Sequence, residues 1–107
     1  MDEVTEINLT RASADSRVRV RVGDILVVRL DENPTTGYRW QFVRPDVLAT
    51  LGDEYSVTSA LPGAGGQRVL RFTASSPGSG ELILSLRRDW EGAGTAQDAF
   101  SIAIEVQ

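Results

Sequence analysis

Phe100, Ile102, Ile104 and Val106 alternate with Ser101, Ala103, Glu105 and Gln107. Successive side chains of a strand point to opposite faces, so this spacing puts four apolar groups on one face of a strand. The same period of two recurs along the chain. Val18, Val20 and Val22 oppose Arg17, Arg19 and Arg21; Tyr38, Trp40 and Phe42 oppose Arg39, Gln41 and Val43; Leu82, Leu84 and Leu86 share one face of residues 81–88. Residues 68–74 turn Leu70 and Phe72 inward, and residues 55–60 form a weaker strand. Residues 4–9 alternate loosely and read as an edge strand, whereas 25–30 is an almost continuous apolar run that suits a central strand buried on both faces. Gly23-Asp24, Arg44-Pro45 and the Pro/Gly/Ser cluster at 75–80 supply turns. The one helix-like stretch is 46–52, with Asp46 as cap and Gly52 as terminator; a single helical turn is expected there. About seven or eight short strands without a long helix predict an all-β, immunoglobulin-like antiparallel β-sandwich, residues 1–107 forming one domain. Trp40 falls on a core-facing position and is expected to fill space between the two sheets.

Composition narrows the chemistry open to such a fold. The 107 residues include no cysteine and no histidine, which removes disulfides, Ser-His-Asp and Cys-His nucleophile systems and nearly all zinc and haem sites. No cofactor is expected, and the acids lack the spacing of a calcium loop, so no metal is expected either. A carboxylate-based enzyme would have to draw on loop acids such as Asp31, Glu32, Asp89 and Glu91, which read as solvated rather than catalytic. All eleven basic residues are arginine, yet the net charge is −4, which argues against nucleic acid or an anionic membrane as partner. The arginines at 17, 19 and 21 read as a solvated strand face that discourages edge pairing. The first residues, Met1-Asp2-Glu3, lead into no apolar run, so neither a signal peptide nor a membrane span is read. The compartment is open: cytoplasmic as the sequence stands, periplasmic or secreted if a signal once preceded it.

Three loops are built for more than turning. In Asn33-Pro34-Thr35-Thr36-Gly37, Pro34 fixes its own φ and pushes Asn33 toward extended geometry, while Gly37 can take a positive φ. The two β-branched threonines between them are stiff at χ1, so their hydroxyls and methyls are held nearly in place. Gly63-Ala64-Gly65-Gly66 allows close backbone approaches that side chains would block, but lacks the Lys-Ser/Thr of a phosphate loop. In Arg88-Asp89-Trp90-Glu91-Gly92, a tryptophan sits among charges and glycines with no periodic apolar neighbours; such an aromatic is expected to be exposed as a binding anchor.

The order and approximate spacing of these loops resemble the chagasin family of protein inhibitors of papain-like cysteine proteases. That family is marked by an Asn-Pro-Thr-Thr-Gly loop followed by an aromatic strand, then a Gly-rich loop, then an Arg-Pro-Trp loop. The first motif is complete here, and the third carries Asp89 in place of proline. The resemblance implies an immunoglobulin-like sandwich whose three loops lie side by side at one end and enter the protease cleft as a wedge, the chain acting as a monomer and not as an enzyme. It implies further that Asn33, Pro34, Thr35, Thr36 and Gly37 sit over the catalytic cysteine and histidine, that Gly63, Ala64, Gly65 and Gly66 lie along the non-primed side, and that Arg88 and Trp90 engage the primed side. Asp89 gives up proline's rigidity and adds a negative charge beside Arg88. The alternative reading is a non-inhibitory immunoglobulin-like binding or adhesion module.

Overall fold

The computed structural model describes residues 4–57, 65–88 and 96–107. Among them are eight strands: β1 (Glu6–Leu9), β2 (Arg17–Val20), β3 (Ile25–Glu32), β4 (Tyr38–Val43), β5 (Leu48–Val57), β6 (Gly66–Ala74), β7 (Gly78–Arg88) and β8 (Asp98–Val106). They form two four-stranded sheets, ordered β1-β3-β6-β5 and β2-β8-β7-β4, packed face to face. This is the all-β immunoglobulin-like sandwich that the alternation predicts.

The apolar faces meet between the sheets. Leu26, Val28, Leu30, Leu70 and Phe72 come from one sheet; Leu82, Leu84, Ile102 and Ile104 come from the other; each is at most 1% exposed. Aromatic rings bridge the two layers edge to face: Phe42 against Phe72 at 5.1 Å between centroids. Within the second sheet Trp40 meets Phe100 edge to face at 5.6 Å, and Trp40 is buried, as its place in the alternation predicts. β3 is central and Val27 on its outer face is 1% exposed, so the strand is indeed buried on both sides there.

Where the structure departs from the sequence reading, pairing between distant strands decides. Both β1 and β2 are edge strands that run parallel to their neighbours, β3 and β8, while the remaining pairs are antiparallel. Between them the chain passes from one sheet to the other through a 3-10 turn at Arg11–Ser13, so neither is the hairpin partner of the other. Residues 46–52 do not form a helical turn. Leu48 N–H returns to the Pro45 carbonyl at 3.1 Å, and from Leu48 onward the segment is β5, paired with β6 and bulged between Thr50 and Gly52. The cap signals lose to the burial of Leu48, which is 0% exposed opposite Ala74. Tyr55 lies within this same strand, which runs to Val57, instead of opening its own, residues 58–60 of the expected strand lying outside the described residues; the turn cluster at 75–80 shrinks to 75–77 because Gly78 begins β7. Val22 is half exposed, since β2 ends at Val20.

Arg11 ties the crossover to β8 through a bidentate contact with Asp98, at 2.8 and 2.9 Å, with its guanidinium over the Phe100 ring. The hydrogen bonds from Arg11 hold the Asp98 carboxyl below the usual carboxylate range. A depressed folded-state pKa stabilises the protein above the unfolded value, near pH 4, and that contribution is lost as pH falls through the folded value. Melting temperatures of the parent and Asp98→Asn are therefore expected to differ at neutral pH and to converge on acidification below about pH 4. A gap that widens on acidification would contradict this coupling.

Candidate functional site

The loop between β3 and β4 is a 3-10 turn, Pro34–Thr36, with both ends closed. Asn33 is the N-cap: its side-chain oxygen accepts from the Thr35 N–H at 3.1 Å and from the Thr35 hydroxyl at 2.7 Å. The Thr36 hydroxyl donates to the Asn33 carbonyl at 2.7 Å and accepts from the Tyr38 N–H at 3.2 Å. Gly37 ends the turn at φ 82° and returns its N–H to the Pro34 carbonyl at 3.0 Å. Pro34, Thr35 and Thr36 are exposed, yet every rotor in this tip is committed to a bond within the tip. The stiffness expected from Pro34, Gly37 and the threonines is thus reinforced by hydrogen bonds that both threonine side chains make inward. Alanine at Gly37 would have to adopt the left-handed region. Gly37→Ala is expected to lower stability by about 1 kcal/mol, read by denaturant unfolding, and an unchanged midpoint would contradict it.

Beneath the tip lies a polar lock. Glu32, the last residue of β3, continues the inward-facing series Leu26, Val28, Leu30 and has a side chain that is 0% exposed. Its Oε1 accepts from the Trp40 backbone N–H at 2.6 Å and from Arg68 Nε at 3.3 Å; its Oε2 accepts from Arg68 Nη2 at 2.7 Å. Arg68 extends the network to Asp53 at 3.0 Å, with Tyr55 beside it. Burial works against the Arg68 cation, but its hydrogen bonds and charge pairing with Glu32, then with Asp53, outweigh that and raise its pKa above the ordinary value. The indole N–H of Trp40 donates to the Asp31 carbonyl at 2.9 Å, so β4 is pinned to the end of β3 from both backbone and side chain. Glu32 is therefore neither the solvated loop acid expected from the sequence nor a free acid for catalysis: its carboxylate is consumed by two partners.

The other two loops leave and enter the sandwich at this same end. Gly65 lies against the tip: a Cβ there would stand 3.2 Å from the Glu32 carbonyl oxygen and 3.3 Å from Asn33 Cβ. Gly66 is already in β6, paired with Glu32 on one side and Val57 on the other. A Cβ on it would fall 2.0 Å from the Ser56 carbonyl oxygen. Gly66 is buried, so its lack of a side chain serves packing within the fold rather than approach by a partner. Tyr38, just after the tip, pairs with Arg88 at the end of β7, and the Arg88 guanidinium stacks 4.6 Å over the Tyr38 ring. Gln97 N–H meets the Leu86 carbonyl at 2.8 Å, closing the base of the third loop. A depression of about 420 Å³ lies among these pieces, with Glu32, Asn33, Thr36, Tyr38, Gly66 and Gln97 in its wall. The structure thus brings residues 33–37, Gly65, Gly66 and Arg88 to one end. Gly63, Ala64, Asp89 and Trp90 lie outside the described residues.

Residues 19–104 match the model of the chagasin family peptidase inhibitors, I42. Among curated proteins, chagasin of Trypanosoma cruzi is 27% identical over 104 residues, covering 91% of this chain and 94% of that protein. Amoebiasin-1 of Entamoeba histolytica is 30% identical over 105 residues, covering 94% and 100% respectively. In fold, the crystal structure of the cysteine protease inhibitor EhICP2 from Entamoeba histolytica superposes with a TM-score of 0.89 over 100% of both chains at 19% identity. A sandwich of this order, carrying a closed Asn-Pro-Thr-Thr-Gly tip at the end where the bases of the other two loops converge, together with a match over most of its length, makes this chain a member of the chagasin family of peptidase inhibitors.

Proposed function

We propose that the protein is a reversible, tight-binding inhibitor of papain-like cysteine proteases that inserts its loop end as a wedge into the active-site cleft. The observation that carries this reading is the exposed tip at 33–37, whose conformation is closed by its own hydrogen bonds. A tip ordered before docking loses little conformational entropy on binding, so more of the contact energy appears as affinity. The tip is also wound in a 3-10 turn, whereas a protease takes the segment it cleaves in extended form; this favours occupation of the cleft without hydrolysis.

In this reading Thr35 and Thr36 cover the catalytic cysteine and histidine. Gly65 borders the non-primed side together with Gly63 and Ala64, Gly66 supports that edge from within β6, and Arg88 and Trp90 reach the primed side. EhICP2, which shares the fold, is itself a cysteine protease inhibitor, and chagasin shares 27% of the aligned residues. Titrating active papain with the protein is expected to give a stoichiometric loss of activity, with the inhibitor recovered intact by mass spectrometry. Full protease activity at about micromolar inhibitor, well above the dissociation constants of tight protease inhibitors, would contradict the proposal.

A further inference from the structure

We infer that Glu32 is a positioning residue for inhibition: its buried carboxylate, shared between the Trp40 amide and the Arg68 guanidinium, sets the tip at 33–37 in register with the Gly65–Gly66 edge. The inference rests on the inhibitory reading above and adds a residue to it that no loop motif contains. Three observations lead to it. First, β3 and β4 belong to different sheets, so no backbone ladder joins the two strands that carry the tip. β4 is moreover an edge strand, and the Trp40 N–H receives its acceptor from the Glu32 side chain, in the place where a neighbouring strand would supply a carbonyl. Second, Arg68 lies in β6 two residues after Gly66, so its bidentate contact fixes the start of the second loop's returning strand against the carboxylate that holds the first. Third, the main chain follows the side chains: the Tyr55 hydroxyl approaches the Glu32 carbonyl at 3.4 Å, and Gly65 packs against that same carbonyl.

A buried ion pair is weak evidence of stabilisation in itself, because an apolar pair of similar volume often serves as well. Here an apolar pair would leave the Trp40 N–H without its acceptor and would lose the directional, three-way link. What the carboxylate supplies is placement.

The test uses the full chain and papain, with Glu32→Gln as the near-isosteric change. Glutamine can still accept from Trp40 N–H, but it turns an NH2 group toward the Arg68 donors. At a temperature well below unfolding, Glu32→Gln is expected to raise the inhibition constant about tenfold, mainly through faster dissociation, as expected when a charge-assisted hydrogen bond is lost. Amide exchange of Thr36, Gly37 and Trp40 is expected to speed up, while Ile102 and Ile104 in β8 keep their protection. Combined with Thr36→Ala, its effect on binding is expected to be less than additive, since both act through one tip. Asp53→Asn, which touches only the outer side of Arg68, is expected to leave inhibition within about twofold. Should Glu32→Gln fail to fold, Arg68→Lys, which keeps the charge but not the fork, is expected to show the same pattern in weaker form. Unchanged inhibition and unchanged tip exchange in the folded variant would overturn the inference, leaving Glu32 a structural ion pair. If the parent protein itself does not inhibit, the inhibitory reading fails, and exchange at the tip still decides whether Glu32 positions it.

Discussion

Gly66→Ala is expected to destabilise the protein by about 3 kcal/mol or more, at the upper end of what overpacking costs, and to lower its melting temperature by roughly 10–20 °C for a domain of this size. The added methyl has nowhere to go. It would stand 2.0 Å from the Ser56 carbonyl oxygen, 2.8 Å from the Tyr55 hydroxyl and 2.9 Å from the Ser56 carbonyl carbon. Two of these three atoms are backbone, so relief requires β5 to move away from β6, at the end where β6 also pairs with Glu32. Inhibition is expected to fall with stability, because the strain falls on β6 two residues before Arg68, and through Arg68 reaches Glu32 and the tip. Thermal unfolding of the variant checks this; a melting temperature within a few degrees of the parent would show that β5 and β6 separate at little cost there.

Thr36→Ala is expected to do the opposite, weakening inhibition strongly while sparing the fold. Its hydroxyl makes two bonds, to the Asn33 carbonyl and from the Tyr38 N–H, and both lie at an exposed tip where water replaces them. Stability should therefore change by no more than about 1 kcal/mol. Without the hydroxyl, the turn loses the link between its first and last residues, and ordering it again upon docking falls to the complex. The expected rise in inhibition constant is about ten- to a hundredfold, the range of a residue near the centre of an interface. Inhibition and unfolding measured on the same preparation separate the two effects. Unchanged inhibition would place the tip outside the contact.

How much of this was legible in the sequence depends on the range of the interaction. The strands were legible because a period of two is written locally: Phe100, Ile102, Ile104 and Val106 need no knowledge of their partners to declare a face, and all four are buried. The tip was legible for the same reason, since Pro34 and Gly37 constrain φ within their own residues and Asn33 caps only two residues on. Residues 46–52 carried equally local cap signals and misled, because the burial of Leu48 against a strand 26 residues later outweighed them. Glu32 was misread as a solvated acid because its partner lies 36 residues away. One trace of it was present: Glu32 extends the parity of Leu26, Val28 and Leu30, and Arg68 that of Leu70 and Phe72. Two opposite charges at the ends of two inward-facing series are what a buried pair between neighbouring strands looks like before the register is known. Gly65 and Gly66 lie at the end that carries residues 33–37. For Gly66, though, what demands glycine is the fold itself, through Ser56.

The central claim is that the end of the sandwich bearing residues 33–37 is the face that fills a papain-like cleft. Amide exchange of the 1:1 complex with papain, compared with the free protein, tests it most directly. New protection is expected at residues 33–38, 65–66 and 86–88, none at residues 21–24 and 75–77 at the opposite end, and the chain is expected to stay uncleaved throughout. Protection confined to an outer sheet face or to that opposite end, or cleavage of the chain within the tip, would contradict it.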